Sequence, residues 1–285
     1  MKRKVLVTGA NGQLGMELQQ LVSGFSNYQF VFTTREQLPL DHLESLSEVI
    51  KNQQPDFCIN CAAYTAVDKA ESEKELAYKV NAEAPGVLAR ACHQNNVHFI
   101  HVSTDYVFNG EGKSPYKEDD QTDPVNLYGA SKLEGERAVM KNNPDAIIIR
   151  TAWVYSEFGK NFVKTMLKLM SDREEISVVS DQQGTPTYAA DLAEVIMQII
   201  SSGKWAPGIY HFSNDGQITW YDFAVAIKEL SGKNCRVRPI TASQYPTPAK
   251  RPGYSVLDKT KIKSTFGIEG KGWRESLAVC IKKLS

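Results

Sequence analysis

The chain opens with KVLVTGANGQLG, residues 4–15, in which a short apolar strand (5–8) runs into three glycines and a helix follows over 13–23. Gly9 permits a tight turn, Gly12 lets the backbone approach a pyrophosphate, and Gly15 lets the helix pack close to the strand. The helix N-terminus offers free N–H groups and the positive end of its dipole to an anion. This order predicts a dinucleotide-binding turn, in which Gln13 and Leu14 also contact the cofactor.

Apolar strands and helical segments alternate from this turn to the middle of the chain. The predicted strands are 5–8, 30–34, 57–63, 97–103 and 146–151, and the predicted helices are 13–23, 43–52, 73–95 and 127–140. Near-continuous apolar strands separated by helices are typical of a parallel sheet covered on both faces. The pattern predicts an α/β protein with a Rossmann-type doubly wound parallel sheet.

The alternation stops after Trp153, where proline and glycine become frequent. Helical stretches at 189–200 and 221–230 stand further apart, and we expect residues 189–212 to return to the main sheet. We therefore predict a nucleotide-binding domain made of residues 1–152 and about 188–213. A smaller and irregular C-terminal substrate-binding domain is expected to take about 153–187 and 214–285.

The composition excludes several function classes. Lysine and arginine together number 33, as do aspartate and glutamate, so no overall basic charge favours nucleic acid or an anionic membrane. No apolar stretch approaches the roughly 18 residues of a membrane span. The N-terminal segment turns polar too soon for a signal peptide. We expect a cytoplasmic protein.

The five cysteines are unlike a disulfide framework, because their number is odd and the chain is of medium size. Cys58 and Cys61 have the spacing of a zinc or redox pair, but no second Cys or His pair accompanies them, and DFCINCAAY (56–64) is typical of a buried strand. The five histidines form no metal cluster either. We predict no metal site and expect His98 and His101 to be structural.

The end of the second predicted strand indicates which cofactor the turn binds. An acidic residue about 20 positions after the glycines would bind a ribose 2′-hydroxyl, but this chain has Thr33-Thr34-Arg35 there. An arginine beside hydroxyl groups suits a 2′-phosphate, so Arg35 predicts NADPH. The neighbouring Glu36 leaves the use of NADH open.

A second motif, YGASK at 128–132, puts a tyrosine and a lysine on one helical face, since residues four apart are neighbours on a helix. A lysine ammonium in that place favours the tyrosinate and lowers the tyrosine pKa toward the range of a general acid. Ser103 and Thr104 end the preceding strand, where ligands collect in open parallel sheets. The two features predict an acid–base site at this edge of the sheet.

TGANGQLG, with its GxxGxxG spacing, and the YGASK helix together resemble the extended short-chain dehydrogenase/reductase superfamily. The resemblance implies a triad in which Thr104 hydrogen-bonds the substrate oxygen, Tyr128 delivers a proton, and Lys132 orients tyrosine and cofactor. It also implies further cofactor-binding residues, namely Asp41, His42, Ala62, Ala63, Tyr64, Thr65 and Asn81, together with Tyr128 and Lys132.

Longer segments narrow the resemblance to the dTDP-4-dehydrorhamnose reductase family. They are AVDKAE (66–71), VSTDYVFNG (102–110), NLYGASKLEGE (126–136), RTAWVY (150–155), DQQGTPTYAADLA (181–193) and RPGYSVLD (251–258). The likeness covers nearly the whole chain. It implies NAD(P)H-dependent reduction of the C4 ketone of dTDP-4-dehydro-L-rhamnose to dTDP-L-rhamnose, with a dTDP-sugar as the partner.

Several residues are candidates for binding this sugar nucleotide. Trp153 follows a strand end and is expected to stack on the deoxysugar. Arg251 is expected to pair with the diphosphate, because a planar guanidinium suits phosphate oxygens. The pocket for the sugar is expected to include Asp68, Thr104, Asp105 and Tyr106.

One departure from the family concerns magnesium. Some members form dimers around a magnesium ion held by glutamates, and Glu17 and Glu275 are candidates for two of these carboxylates. Near the position of the third glutamate this chain has Asp191 instead, which argues against a metal-linked dimer in this chain. We therefore expect a monomer or a weak homodimer.

Two other functions remain open: a sugar-nucleotide epimerase or dehydratase that regenerates its bound NAD, and a non-catalytic regulatory subunit that binds cofactor. The intact set of Thr104, Tyr128 and Lys132 argues against the subunit. Related dehydratases carry Thr-Asp-Glu where this chain has Thr104-Asp105-Tyr106. A phenol with a pKa of about 10 is a poor base for removing the C5 proton, so the sequence favours reduction.

Overall fold

The computed structural model describes residues 2–284, and a six-stranded parallel sheet lies at its centre. The strands are, in chain order, β1 (Arg3–Thr8), β2 (Tyr28–Thr33), β3 (Phe57–Asn60), β4 (His98–Thr104), β5 (Ile147–Thr151), β6 (Val154–Tyr155), β7 (Glu175–Val179), β8 (Gln183–Gly184), β9 (Thr187–Tyr188), β10 (Gly208–His211), β11 (Ile218–Thr219) and β12 (Arg236–Ile240). The central sheet has the order β10-β5-β4-β3-β1-β2. The chain moves from β1 to β2 and then returns to β3 on the other side of β1, so the predicted doubly wound sheet is confirmed.

Helices connect these strands. They are α1 (Gln13–Leu21), α2 (Leu43–Gln53), α3 (Val67–Ala70), α4 (Lys74–Tyr78), α5 (Ala84–Gln94), α6 (Leu127–Asn142), α7 (Phe162–Asp172), α8 (Ala189–Ser201), α9 (Trp220–Ser231), α10 (Thr260–Phe266) and α11 (Trp273–Leu284). A π-helical segment, Lys79–Glu83, joins α4 to α5. The helix predicted over 73–95 is therefore one helical run that contains a π turn, a feature often found at functional sites.

Both faces of the sheet are covered by helices, which explains why its strands are apolar throughout. Successive residues of a strand face opposite sides. Val5 and Val7 of β1 pack in one core with Ile196 of α8. Leu6, which lies between them, packs in a second core with Leu88 of α5.

The part of the chain after β5 is more regular than the sequence indicated. The predicted return of residues 189–212 is confirmed, since β10 pairs with β5. However, α7 and α11 were not predicted, and they pack with α9 around a core that contains Met166, Phe223 and Leu277. The expectation of an irregular C-terminal part was wrong about these helices. They do not alternate with long strands, so the sequence pattern used to find the other helices is missing here.

The predicted division into two domains differs from the packing at one place. Ile262 of α10 and Ile268 are buried in a core of the main sheet, although the sequence placed residues 214–285 in the smaller domain. The rest of the division stays a prediction.

Within residues 2–284, no helix has both the length and the apolar character that a membrane crossing requires.

Helix α6 lies unusually close to its neighbours. A Cβ atom at Gly135 would overlap the carbonyl oxygen of Asn81, so only glycine permits this approach. One residue further, Glu136 forms a buried two-point ion pair with Arg150 of β5, with Nη2–Oε2 and Nε–Oε1 distances of 2.8 and 2.9 Å. Ser103 of β4 donates to the same carboxylate. These contacts fix α6 against the carboxyl ends of β4 and β5.

Candidate active site

A groove of about 580 Å³ lies at the carboxyl ends of the parallel strands, on both sides of the point where the strand order reverses. Ligands of doubly wound sheets bind at this place. Most residues predicted to bind the cofactor line the groove, namely Gly9, Gly12, Gln13, Leu14, Gly15, Arg35, Asp41, Ala62, Ala63, Tyr64, Thr65, Tyr128 and Lys132. His42 and Asn81 do not.

The glycine turn has the geometry of a phosphate cradle. Gly9 has φ +72°, and a Cβ atom there would lie 2.8 Å from the backbone nitrogen of Ala62. Gly12 is the N-cap of α1 and provides no side-chain hydrogen bond to the first turn, so the N–H groups of that turn remain open to an anion. Gln13 is held by Asn161, whose Nδ2 donates to its Oε1 at 2.8 Å. These residues fit the pyrophosphate of a dinucleotide.

The far end of the groove carries charges of both signs. Arg35 and Glu36 are exposed side by side after β2. The Thr34 side chain hydrogen-bonds Glu36 and holds the pKa of its carboxyl below the usual value. Asp41 lies at the same end, whereas His42 is exposed at the N-cap of α2.

Asn81 lies behind the groove and organises one of its walls. Its Oδ1 accepts from the backbone N–H of Tyr64 at 2.8 Å, and its Nδ2 donates to the Tyr64 carbonyl and to Ser131 Oγ, each at 3.0 Å. The sequence expected Asn81 to touch the cofactor, but these contacts use its amide internally. The strand predicted over 57–63 ends at Asn60, which leaves residues 62–65 free to form the wall.

Thr104, Tyr128 and Lys132 come together at the end of β4. Thr104 lies beside Tyr128, whose ring packs edge-on against that of Tyr106 with the ring centroids 5.7 Å apart. Lys132 is 2% exposed, and its Nζ donates to the Val102 carbonyl at 2.7 Å. The structure thus assembles the predicted triad.

Burial dominates the protonation of this triad. It raises the pKa of Tyr128 to about 12, against the opposing effect of the Thr104 hydrogen bond. It lowers the pKa of Lys132 to about 8, although Glu136 acts in the other direction. The expectation that Lys132 brings the tyrosine pKa below its usual value is wrong for this structure, because the amine is turned toward Val102.

Asp105 is a buried carboxyl group next to the triad. Its Oδ1 accepts from the Thr104 hydroxyl at 3.0 Å. Burial raises the pKa of Asp105 to about 7, although hydrogen bonds from Ser255 and Thr104 oppose this shift. The same burial, together with the charge of Asp105, raises the pKa of Tyr106 above its usual value.

The residues predicted to bind the sugar nucleotide contact one another more than expected. Asp68 and Arg251 form a two-point ion pair, with an Nη2–Oδ2 distance of 2.8 Å. Trp153 has φ +47° and stacks on Trp220, with ring centroids 3.6 Å apart. One face of the indole is therefore already covered, and Gly184 also packs against this ring, where a Cβ atom would lie only 2.6 Å from it.

Sequence reasoning missed several lining residues. Lys160 lies in the groove beside Gly159, and Cys61 lies on the wall after β3. Burial raises the pKa of the Cys61 thiol, so it is protonated. The sequence signal that could have indicated Lys160 as a groove residue is its position between a glycine and the N-cap of a helix. His101, expected to be only structural, lies 3.4 Å from Lys132 Nζ through its Nε2.

The three candidates for magnesium do not converge. Glu17 is buried and accepts from Ser156 Oγ at 2.6 Å, Asp191 accepts from Lys271 at 2.8 Å, and Glu275 is exposed on α11. Across residues 2–284, no three His, Cys, Asp or Glu side chains are grouped so as to hold a metal ion.

Replacement of Asp105 by asparagine tests the buried carboxyl. Between its usual value of 3.8 and about 7, the folded protein retains a proton that the unfolded chain has released. The free energy of unfolding therefore falls as pH rises through this window, by up to about 1.4 kcal/mol per pH unit from this group. Urea unfolding should give a flatter pH profile in Asp105→Asn than in the wild type.

The exposed Asp119 provides the matched control, since Asp119→Asn should keep the wild-type profile. Identical profiles for the wild type and Asp105→Asn would contradict a protonated carboxyl at this place.

Comparison with known proteins agrees with this arrangement. The family model described as RmlD substrate binding domain matches residues 3–285. A dTDP-4-dehydrorhamnose reductase of Burkholderia thailandensis is 43% identical, with 99% of both chains covered. The crystal structure of a dTDP-4-dehydrorhamnose reductase from Clostridium acetobutylicum has a TM-score of 0.95 at 43% identity, again covering 99% of both chains.

A second solved structure includes a cofactor. The dTDP-4-dehydrorhamnose reductase of Bacillus anthracis, in complex with NADP, has a TM-score of 0.95 at 37% identity, covering 99% of this chain and all of that one. The likeness holds over nearly the whole length of the sequence. The chain therefore belongs to the dTDP-4-dehydrorhamnose reductase family.

Proposed function

We propose that this chain is a dTDP-4-dehydrorhamnose reductase, which uses NADPH to reduce the C4 ketone of dTDP-4-dehydro-L-rhamnose to dTDP-L-rhamnose. One observation carries the proposal: a neutral, half-buried Tyr128 lies beside Thr104 and shares a helix with the buried Lys132 at the end of a dinucleotide groove. Membership of the family supplies the substrate class.

The groove supports NADPH as the cofactor. Gly12 and the first turn of α1 suit the pyrophosphate, and Arg35 suits the 2′-phosphate of NADPH. Lys160, in the same groove, adds a positive charge. When bound, NADPH supplies a hydride to the carbonyl carbon of the sugar. NADH use stays open, because Glu36 adjoins Arg35.

The protein supplies the proton. As the carbonyl carbon gains the hydride, its oxygen gains negative charge, and the Tyr128 hydroxyl donates its proton to that oxygen. The Thr104 hydroxyl, which donates to Asp105 Oδ1 in the absence of substrate, turns its proton to the same oxygen and holds it in place. A pKa of about 12 keeps Tyr128 protonated at neutral pH, so the acid is present before reaction begins.

Lys132 orients the tyrosine and the nicotinamide ribose. Its amine is held by the Val102 carbonyl and has further N–H bonds to offer. Its pKa of about 8 means that most of the lysine is protonated at pH 7. The remaining N–H bonds of this charged amine are available to the hydroxyls of the nicotinamide ribose, in a groove where burial strengthens electrostatic interactions.

The same geometry disfavours the two alternatives. Dehydration needs a base at the place of Tyr106, and the raised pKa of that phenol keeps it neutral. A regulatory subunit has no need of a tyrosine and threonine arranged for proton delivery. For the sugar nucleotide, we propose that Arg251, Asp68 and Trp153 form the pocket. The diphosphate would then release Arg251 in part from its ion pair with Asp68.

We propose that the protein acts in the cytoplasm as a monomer or weak homodimer, with no nucleic-acid or membrane partner. The balanced charge of the chain supports this.

Replacement of Tyr128 by phenylalanine tests the proton donor. Tyr128→Phe should lower kcat by on the order of 10²–10⁴ because the acid is lost, while NADPH still binds. The assay is NADPH absorbance loss with dTDP-4-dehydro-L-rhamnose, and binding is followed by NADPH fluorescence. Tyr78→Phe, on α4, serves as the control and should behave as wild type. A near wild-type kcat in Tyr128→Phe would rule out this assignment.

Replacement of Arg35 by alanine tests the cofactor preference. Arg35→Ala should weaken NADPH binding by roughly ten- to a hundred-fold, the worth of a charge-assisted hydrogen bond. NADH should be little affected, because it lacks the 2′-phosphate. Titration calorimetry with both cofactors gives the ratio, and Arg90→Ala, an exposed arginine on α5, is the control. Equal loss for both cofactors would show that Arg35 does not contact the 2′-phosphate.

A further inference from the structure

A row of buried polar side chains crosses the sheet beneath Lys132. Thr8 of β1, Asn60 of β3 and His101 of β4 are register partners in adjacent strands. Each is at most 1% exposed, so each must find its hydrogen-bond partners inside the protein. The row ends at His101 Nε2, which lies 3.4 Å from Lys132 Nζ. None of the three side chains takes part in the reduction described above.

The hydrogen bonds along this row run in one direction. The backbone N–H of Ala62 donates to Thr8 Oγ1 at 3.3 Å, and the Thr8 hydroxyl donates to Asn60 Oδ1 at 2.6 Å. Because Oδ1 accepts from Thr8, the amide nitrogen of Asn60 faces His101 and donates to Nδ1 at 3.0 Å. A neutral imidazole carries one ring proton. With Nδ1 accepting, that proton lies on Nε2.

The Nε2–H of His101 therefore points at the Lys132 amine. Burial and the lysine charge both hold the His101 pKa well below its usual value, so the ring is neutral. An ammonium group has donors only and cannot accept this N–H, whereas a neutral amine can. Lys132 Nζ already donates to the Val102 carbonyl at 2.7 Å. Its other N–H bonds are consequently directed away from His101 and toward the groove.

We propose that His101 is a positioning residue for Lys132. Thr8 and Asn60 hold the Nε2–H of His101 against the lysine amine. This contact turns the amine toward the groove and disfavours its ammonium form. The inference rests on the proposed function only in assigning Lys132 its role. The end of the row opposite His101 is the backbone N–H of Ala62, which does not ionise. The row therefore fixes the direction of the hydrogen bonds and does not conduct a proton.

The other titratable groups around Lys132 do not replace this effect. Glu136, one turn further along α6, favours the ammonium form, but Arg150 of β5 already pairs with its carboxylate. Tyr128, one turn earlier, is neutral, and Asp105 from the turn after β4 acts on Tyr128. The pKa of Lys132, lowered to about 8 chiefly by burial, agrees with a site in which His101 does not stabilise the charge.

The tautomer of His101 is the direct test in the wild-type protein. The ¹⁵N chemical shifts of the imidazole, in protein with ¹⁵N-labelled histidine, distinguish the two neutral forms. A proton on Nε2 supports the proposal. A proton on Nδ1 overturns it, because His101 would then accept a hydrogen bond from Lys132 and stabilise the ammonium.

Titration of Lys132 tests the consequence. In protein labelled with ¹³C at the lysine ε-carbon, the Lys132 signal is assigned by its loss in Lys132→Arg. His101→Phe removes the N–H and keeps a ring, and Thr8→Val removes the hydroxyl that orients Asn60 at nearly constant volume. In each folded variant the Lys132 pKa should rise by at least about half a unit. An unchanged or lowered pKa would overturn the proposal.

His98→Phe is the matched control. His98 lies three residues earlier on the same strand and packs on Trp205, with ring centroids 4.3 Å apart, so its loss should leave the Lys132 pKa where it is. None of these titrations needs substrate or turnover, and a failure here is therefore distinct from a failure of the reductase assay. In active enzyme, the basic limb of the kcat/KM profile should move upward with the lysine pKa in His101→Phe.

Discussion

The close approach of α6 to the ends of β4 and β5 is the constraint on which the site depends. Gly135 lets this helix come nearer to the Asn81 carbonyl than a side chain would allow. The buried Glu136–Arg150 pair ties the same helix to β5, and the loss of one partner from such a pair costs about 3–5 kcal/mol. Tyr128 and Lys132 lie on the face that these contacts fix, so their position relative to the groove is set by the packing of the sheet.

Burial then gives the two side chains opposite shifts that suit one reaction. It makes the tyrosine a weaker acid than usual and the lysine a weaker base, with pKa values of about 12 and 8. At neutral pH the tyrosine keeps the proton it has to deliver, and most of the lysine is positively charged. The groove therefore holds a neutral donor and a cation, which is what the reduction of a ketone requires.

The sequence predicted the features that local patterns encode. The glycine turn, the alternation of apolar strands and helices, and the i, i+4 spacing of Tyr128 and Lys132 all appear in the structure where expected. Features that depend on contacts between distant segments were not predictable. The amide of Asn81 is used by Tyr64, Arg251 is paired with Asp68 across 183 positions, and Trp153 is covered by Trp220. His101 belongs to this group, because only the strand register aligns it with Asn60 and Thr8.

The stoichiometry of the reaction tests the central claim most directly. Purified protein is mixed with NADPH and a limiting amount of dTDP-4-dehydro-L-rhamnose, and NADPH loss is compared with the sugar nucleotide formed. The account predicts one NADPH oxidised for each dTDP-L-rhamnose, and no loss of water from dTDP-glucose. Turnover of dTDP-glucose without added cofactor, by protein that retains tightly bound NAD⁺, would contradict it.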